Sequence, residues 1–300
     1  MRVDPFYVQG LVTSLDQVTA NEAQLSNELA SGLRVTSLSV DPVAAAQATL
    51  LGASIAADDQ YVQAAGSAQS QLQVTDSALG EVVTQLTQAI SLATSAGDAT
   101  LSQANKSSIG AELSVIRDQV FSLANTQYLG QYIFGGSVGS TAPFVQSGSG
   151  VTATTTYVGD QSIQYVTTES GQQLQTNVPG SAVFTAAGSN VLAALNQVVS
   201  DFASGASAAQ LVEDTSALTS GLDTVNSQRG LIDASLSQVE ATSTYAQTDA
   251  TGQTAAQSTL LDADPAAVAT SLSNAETQST ALSDTIAALE KGSLFDFLQQ

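Results

Sequence analysis

The sequence predicts a mainly α-helical protein in which the N- and C-terminal halves form one long coiled-coil-like helical rod that carries a small β-rich insert domain. Of the 300 residues, 43% are hydrophobic but only 5% are aromatic. The core is therefore mostly aliphatic, which favours packing of helix on helix. Apolar residues recur at heptad spacing in both halves of the chain. In the middle, this spacing gives way to short alternating runs that are typical of strands.

The first helix lies within residues 1–40, which we expect to be an N-terminal assembly helix. Its apolar residues at coiled-coil spacing include Val8, Leu11, Leu15 and Val18. Asp41 followed by Pro42 supplies an N-cap acceptor and a preset first-turn residue, so a second helix should begin there. The predicted seam of this long helix contains Leu51, Ile55, Asp58, Val62, Ala65, Gln69, Leu72, Asp76, Leu79, Val83, Leu86 and Ile90.

A third helix follows the break at Gly97 and completes the N-terminal half of the rod, residues 41–134. Residues 135–188 are rich in Thr, Val, Ser and Gly and nearly free of charge, which predicts a β-rich outer domain. Helical spacing returns in residues 189–284, the C-terminal half of the rod.

A second Asp-Pro pair, Asp264 and Pro265, predicts the start of the last helix, whose end at residues 285–300 is a C-terminal assembly helix. The simplest topology pairs this helix with the first one, so that both chain ends share one pole of the rod. The sequence ends with apolar residues that a neighbouring subunit, or the chain's own first helix, should cover. The predicted assembly interface in this part of the chain is Leu282, Ile286, Leu289, Leu294, Phe295, Phe297 and Leu298.

The charge balance excludes two classes of partner. Six basic residues against 27 acidic ones give a formal net charge of -21. This charge repels phosphate backbones and anionic lipid heads, so we expect no nucleic-acid or membrane partner. We also expect no transmembrane helix and no cleavable signal peptide.

The sequence predicts no catalytic, cofactor or metal site, because it contains no histidine and no cysteine. The stretch from Gly135 to Gly139 matches the G-x-S-x-G elbow around Ser137, but a catalytic triad there needs a histidine. The arginines are scarce among many carboxylates. Arg34, Arg117 and Arg229 should each find an acidic partner, either to set helix register or in an ordinary exposed ion pair.

Three stretches of the sequence resemble the flagellin family. The first, SGLRVTSLSVDPVAAAQA at residues 31–48, contains Gly32, Arg34, Asp41 and Pro42, and has Val40 where the family usually has an acidic residue. The second is LANTQYLGQYIFGGS at residues 123–137, which ends with Gly135, Gly136 and Ser137. The third is QRGLIDASLSQVEAT at residues 228–242, which contains Arg229.

Two further stretches are similar to the branch of this family that joins the flagellar hook to the filament. They are the outer segment at residues 143–184 and the ending SLFDFL at residues 293–298. The resemblance implies a structural adaptor that is exported through the flagellar secretion channel to the hook-filament junction. The implied partners are copies of itself, a neighbouring junction protein, flagellin and an export chaperone.

Three other functions remain open at this point, and one of them, an enzyme, would require Ser137 or the carboxylates. A filament flagellin would have the same helices but should polymerise alone, whereas a secreted binding module would use the β insert. If the chain ends are half of a helical core, residues 1 to about 35 and about 285 to 300 should order only on assembly.

Overall fold

The computed structural model describes residues 5–96, 102–148, 150, 153–168, 170–205 and 207–298. The chain is mainly helical with a small β-rich region, as the sequence predicts. The helices are α1 Pro5–Ser31, α2 Pro42–Ala96, α3 Gln103–Ala124, α4 Gly180–Val183, α5 Val191–Ser204, α6 Ala208–Leu261 and α7 Pro265–Leu298. The strands are β1 Gln127–Tyr128, β2 Gln131–Tyr132, β3 Phe144–Ser147, β4 Thr154–Tyr157, β5 Tyr165–Thr167 and β6 Gln173–Gln175.

Aspartates start two of the long helices where the sequence predicts them. The Asp41 carboxylate accepts a hydrogen bond from the Ala44 N–H at 3.0 Å, one turn into α2. The Asp264 carboxylate accepts one from the Ala266 N–H at 2.9 Å at the start of α7. Each carboxylate satisfies an N–H that has no partner within its helix, and the following proline needs none.

Contacts between residues divide the chain into two compact units, and the first comprises Met1–Ala56 with Asp249–Gln300. Within it α1 packs along α7. The Ala263 N–H donates to the Gly32 carbonyl at 2.9 Å, and the Arg34 N–H donates to the Leu261 carbonyl at 2.7 Å. The end of α1 therefore lies beside the start of α7, and the two helices run antiparallel. We call α1 and α7 the terminal helix pair.

The second unit, Ala57–Thr248, contains the central core. Here α2 buries one face at alternating spacings of three and four residues, which is heptad packing. Its buried residues are Asp58, Tyr61, Ala65, Ala68, Leu72, Thr75, Leu79, Val82, Leu86, Ala89, Ala93 and Ala96, with Ala78 beside them. On α6 the buried residues are Leu211, Asp214, Leu218, Gly221, Val225, Ile232, Val239 and Ala246.

The predicted seam of α2 was wrong at every second position. The sequence favours Val62, Gln69, Asp76, Val83 and Ile90, which are only half-buried. In each case the preceding residue is the one that is buried, namely Tyr61, Ala68, Thr75, Val82 and Ala89. Alanine and threonine give a weak hydropathy signal, but their small size lets neighbouring helices approach closely.

The β region consists of three two-stranded antiparallel sheets within the second unit. It covers one end of the central core through Phe134, Phe144 and Phe184, which are all fully buried. Phe184 meets the rings of Phe134 and Phe144 edge to face at centroid distances of 5.1 and 5.3 Å. Such pairs add to the free energy gained by burying the rings.

Among the described residues, no helix has the length and apolar character that a bilayer span requires.

Candidate assembly interface

The terminal helix pair has an apolar seam that is only partly covered. On α1, the predicted residues Val8, Leu11, Leu15 and Val18 are all half-buried. On α7, Leu282, Ile286 and Leu289 are half-buried too. Leu294, Phe295, Phe297 and Leu298 lie in the last turns of α7, but their side chains are outside the described residues. Their part in an assembly interface stays a prediction.

The connection between α1 and α2 is held by Arg34. Its guanidinium donates to the Leu260 carbonyl at 2.9 Å, at the end of α6, and reaches the Asp41 carboxylate at 3.4 Å. The N–H of Ala44 lowers the pKa of Asp41, and Arg34 lowers it further. Gly32 ends α1 with a positive φ of 71°, a conformation that side chains rarely adopt. The motif residues Gly32, Arg34, Asp41 and Pro42 thus end α1, start α2 and tie the connection between them to the end of α6.

Arg229 pairs with Asp76 across the central core, with 2.8 Å between guanidinium Nε and the carboxylate. This hydrogen bond raises the pKa of Arg229. Gly80 lies one turn after Asp76, and a β-carbon there would be 3.6 Å from the guanidinium. The pair joins α2 to α6 and is compatible with a role in their register, which stays a prediction.

The Arg117 side chain is buried, unlike the arginines of ordinary surface ion pairs. Its guanidinium donates to the Gly150 carbonyl at 2.7 Å and to the Asp118 carboxylate at 2.8 Å. The bond to Gly150 ties α3 to the turn between β3 and β4. The charge is compensated on one side by a half-exposed carboxylate and on the other by a backbone dipole.

Gly135 and Gly136 form a tight turn that is closed by Asp160. A β-carbon at Gly135 would overlap the Val138 carbonyl, and one at Gly136 would overlap the Asp160 carboxylate. Asp160 accepts hydrogen bonds from the Ser137 hydroxyl and from the Ser137 N–H, the latter at 2.7 Å. These bonds, with the N–H of Ser162, lower the pKa of Asp160 to about 2. The serine of the G-x-S-x-G match is thus a partner in a structural turn.

A second carboxylate that the sequence did not single out is Asp214 on α6. It is buried beside Asp201 of α5, which is buried as well, and its Oδ2 has no hydrogen-bond partner in the described part of the chain. Burial, together with the neighbouring carboxylates of Asp201 and Glu213, raises the pKa of Asp214 to about 6. Both causes disfavour the charged form of Asp214.

The turn between β1 and β2 carries an unusual residue. Tyr128 pairs with Gln131, so Leu129 and Gly130 form a two-residue turn, and both have positive φ, at 49° and 78°. Such type I′ turns favour Asn, Asp or Gly, and a leucine there costs about 1–2 kcal/mol. The Leu129 side chain is nevertheless 86% exposed. This hairpin could not be predicted from the sequence, because Leu-Gly is not a usual turn pair.

Comparison with known proteins identifies the relatives of this chain. Residues 9–138 match the family model of the bacterial flagellin N-terminal helical region. The flagellar hook-associated protein 3 of Salmonella typhimurium is 36% identical over 141 residues, which cover 46% of this chain and 44% of that protein. The protein of the same name from Escherichia coli is 29% identical over 260 residues, which cover 79% of this chain and 80% of that protein.

Solved structures show the same fold. A putative flagellar hook-associated protein from Vibrio parahaemolyticus aligns with a TM-score of 0.66 over 74% of this chain and 99% of that one, at 19% identity. The flagellar junction protein FlgL from Legionella pneumophila aligns with a TM-score of 0.59 over 72% of this chain and all of that one, at 17% identity. At these identities the likeness concerns the fold alone.

Proposed function

We propose that this chain is a member of the flagellin family and a structural subunit of the bacterial flagellum, an adaptor that joins the hook region to the filament through helical packing of subunits. The relatives whose names mention the hook support this role over that of the filament subunit. The match to the E. coli relative extends over most of both chains, so it includes the C-terminal half as well as the flagellin-like N-terminal region.

One observation carries the proposal, namely the half-covered seam of the terminal helix pair. Two helices alone leave heptad residues accessible at the edges of their contact, whereas more helices enclose them. In α1, the apolar residues at the seam are half-buried from Val8 to Leu25. In α7, only Val268 and Ala275 are buried among the described seam residues. Further helices from neighbouring subunits would complete this packing.

The assembly interface that we propose is the apolar seam of both helices. It consists of Val8, Leu11, Leu15, Val18, Leu282, Ile286, Leu289, Leu294, Phe295, Phe297 and Leu298. The partners are copies of this chain, a neighbouring junction protein and flagellin. An export chaperone would cover the same apolar residues before assembly, and the flagellar export apparatus would deliver the chain to the hook-filament junction. Its acidic surface makes assembly stronger at moderate salt, where like charges are screened.

We propose no enzymatic activity for this chain. The sequence has no histidine to activate Ser137, whose hydroxyl donates to Asp160 instead. The relatives named above support a structural role. A secreted binding module remains the second candidate in principle, and it would require that residues 137–188 bind a ligand by themselves.

Deletion of the gene in its own bacterium is the direct test of the function. We expect cells that still build hooks but release flagellin into the medium, because the filament has no base on which to grow. Restoring the gene should restore filaments. Intact filaments in the deletion strain, or long filaments from the purified chain seeded alone, would contradict the adaptor role.

Matched substitutions on α1 test the residues of the interface. Leu15→Gln changes a half-buried seam residue, and Val12→Gln changes an exposed residue one turn away. We expect Leu15→Gln to abolish motility and incorporation into flagella, whereas Val12→Gln should leave both near wild type. Equal effects of the two substitutions would rule out the seam as the interface.

Hydrogen exchange of the dilute monomer tests whether the chain ends are incomplete before assembly. We expect the amides of α1 and of the last turns of α7 to exchange fast, and those of the central core to be protected. Strong protection throughout both ends would show that this pair needs no neighbour.

A further inference from the structure

The surface of the β region differs from the rest of the chain in charge. Residues 119–200 contain only two of the 27 acidic residues, Asp160 and Glu169, and none of the six basic ones. Every copy of this chain carries the same large negative charge, so contacts between copies are least opposed where carboxylates are scarce. A basic partner would instead favour the acidic surfaces. The charge-free surface therefore suits a second copy of this chain.

An apolar groove lies on this surface, between the β region and α6. Its volume is about 620 Å³, and none of its lining residues is charged. The apolar part of the lining includes Ile163, Val178, Ala186 and Leu231. Ile163 and Leu231 are 43% and 55% exposed, so each leaves apolar surface in water that a partner could cover. We call this the α6 groove.

The same surface carries a protruding apolar side chain, Leu129, at the tip of the β1–β2 hairpin. Its backbone conformation disfavours leucine, and its exposure means that no packing within the chain compensates for this. Strained residues persist where the surrounding structure or a function requires them. An exposed leucine in a turn that favours asparagine or glycine is more readily explained by a contact between chains than by folding.

The hairpin tip and the α6 groove are separate sites on the β region. Leu129 and Gln164 line a small cavity beside the hairpin, whereas Ile163, the residue before Gln164, lines the α6 groove. A protrusion and a groove at separate sites on one molecule can generate head-to-tail contacts, in which each copy offers a different site to each neighbour. Repeated contacts of this kind build rings or helical layers.

We propose that Leu129 at the β1–β2 tip of one copy inserts into the α6 groove of the next copy, so that the β regions form a continuous lateral contact within a layer. This contact rests on the proposed function, since it needs copies arranged side by side. It is separate from the terminal helix pair. Its specificity comes from one apolar side chain and from the scarcity of carboxylates in the β region.

Disulfide cross-linking tests the contact directly, because the chain has no cysteine of its own. The test variant is Leu129→Cys with Ala186→Cys, and the matched control is Leu129→Cys with Val212→Cys, an exposed α6 residue outside the groove. Each is expressed in cells that lack the native gene, and isolated hook-filament structures are oxidised briefly. We expect dimers and higher multimers from the test pair, and monomers from the control pair and from each single variant.

The outcomes separate this contact from the adaptor role. If the test chain is present in the isolated structures but stays monomeric, or if the control pair cross-links equally, the lateral contact is wrong and the adaptor role stands. If the chain is absent from flagella altogether, even as wild type, the adaptor role fails and the contact with it. A second variant, Leu129→Asn, suits the turn better and should fold normally. We expect it to reduce the amount of chain retained in flagella at least severalfold, and unchanged retention would overturn the proposal.

Discussion

The terminal helix pair and the central core use the same heptad pattern but differ in how far it is buried. In the central core, Leu72, Leu79 and Leu86 are almost fully buried, because α3, α5 and α6 also contribute to the same cluster. In the terminal helix pair, the leucines of α1 are only half-buried, because α7 is the element that packs along them. The number of helices that pack around a heptad seam, and not the heptad pattern itself, decides whether the seam residues are fully buried.

The comparison predicts that one substitution should have very different costs in the two regions. Leu79→Ala removes a fully buried side chain and should lower the free energy of unfolding by about 2–5 kcal/mol. Leu15→Ala removes a half-buried one and should cost less than about 1.5 kcal/mol in the monomer. Urea denaturation followed by circular dichroism measures both.

Leu50→Ala, an exposed position on α2, is the control and should be nearly neutral. If Leu15→Ala proved as costly as Leu79→Ala, the terminal helix pair would already be a complete core and the comparison would fail.

Asp214 is the exception within the central core, because it is buried without full compensation. Its pKa is raised in the folded state to about 6. The protonated form therefore stabilises the fold below about pH 4, and this stability is lost as the pH rises through 6. Asp214→Asn should remove the pH dependence and raise stability at pH 7 by about 1–3 kcal/mol, since one pKa unit corresponds to about 1.4 kcal/mol.

Urea midpoints at pH 4.5 and pH 7.5 measure this effect. Asp223→Asn, which changes an exposed carboxylate of the same helix, should leave the pH dependence unchanged. A wild-type midpoint that is the same at both pH values would contradict the assignment.

The Arg229–Asp76 pair should affect the free energy of unfolding less than Leu79 or Asp214 does. Both side chains are about a third exposed, and ion pairs of this kind are worth about 0–1 kcal/mol. Arg229→Met should therefore lower stability only slightly, and Asp76→Asn added to it should cost little more. A double-mutant cycle measures the coupling. If both melting and assembly were unchanged in Arg229→Met, the pair would have no part in helix register.

Asp160 should give the smallest effect, because it lies at the surface of the β region. Its pKa is lowered to about 2, so the turn that it closes is stable above about pH 4 and loosens as the pH falls toward 2. Near-ultraviolet circular dichroism of the tyrosines should report this change, since the Tyr157 hydroxyl donates to the Asp160 carbonyl. Ser137→Ala should shift the transition to higher pH, whereas Ser147→Ala, on β3, should not.

Helix starts were predictable from the sequence, because they depend on local chemistry. The Asp-Pro pairs at Asp41 and Asp264 cap their helices as expected. The seam of α2 was predicted correctly at about half of its positions. Heptad spacing that includes Val62 also includes Asp76, whereas the packing of other helices buries Tyr61 and Thr75 instead.

The pairings of Asp160 and Asp214 were not predictable either. Asp160 meets Ser137, and Asp214 meets Asp201, residues that lie apart in the sequence and come together only in the fold. The Leu129 hairpin was not predicted, because its turn residues are not the Asn, Asp or Gly that such turns usually contain. Features fixed by neighbours in the chain can be predicted, and those fixed by neighbours in space cannot.

The alternation of large and small residues on α2 also bears on how the helices respond to force. Leu72, Leu79 and Leu86 recur every seven residues, and the alternate buried positions hold the smaller Ala68, Thr75, Val82 and Ala89. Small side chains give little resistance when one helix slides along its neighbour. The leucines therefore provide most of the resistance to such sliding. A helix pulled along its axis would have to move by a whole heptad, about 10 Å, before the leucines fitted their sites again. In the adaptor role that we propose, torque from a rotating hook would therefore be transmitted without gradual slippage.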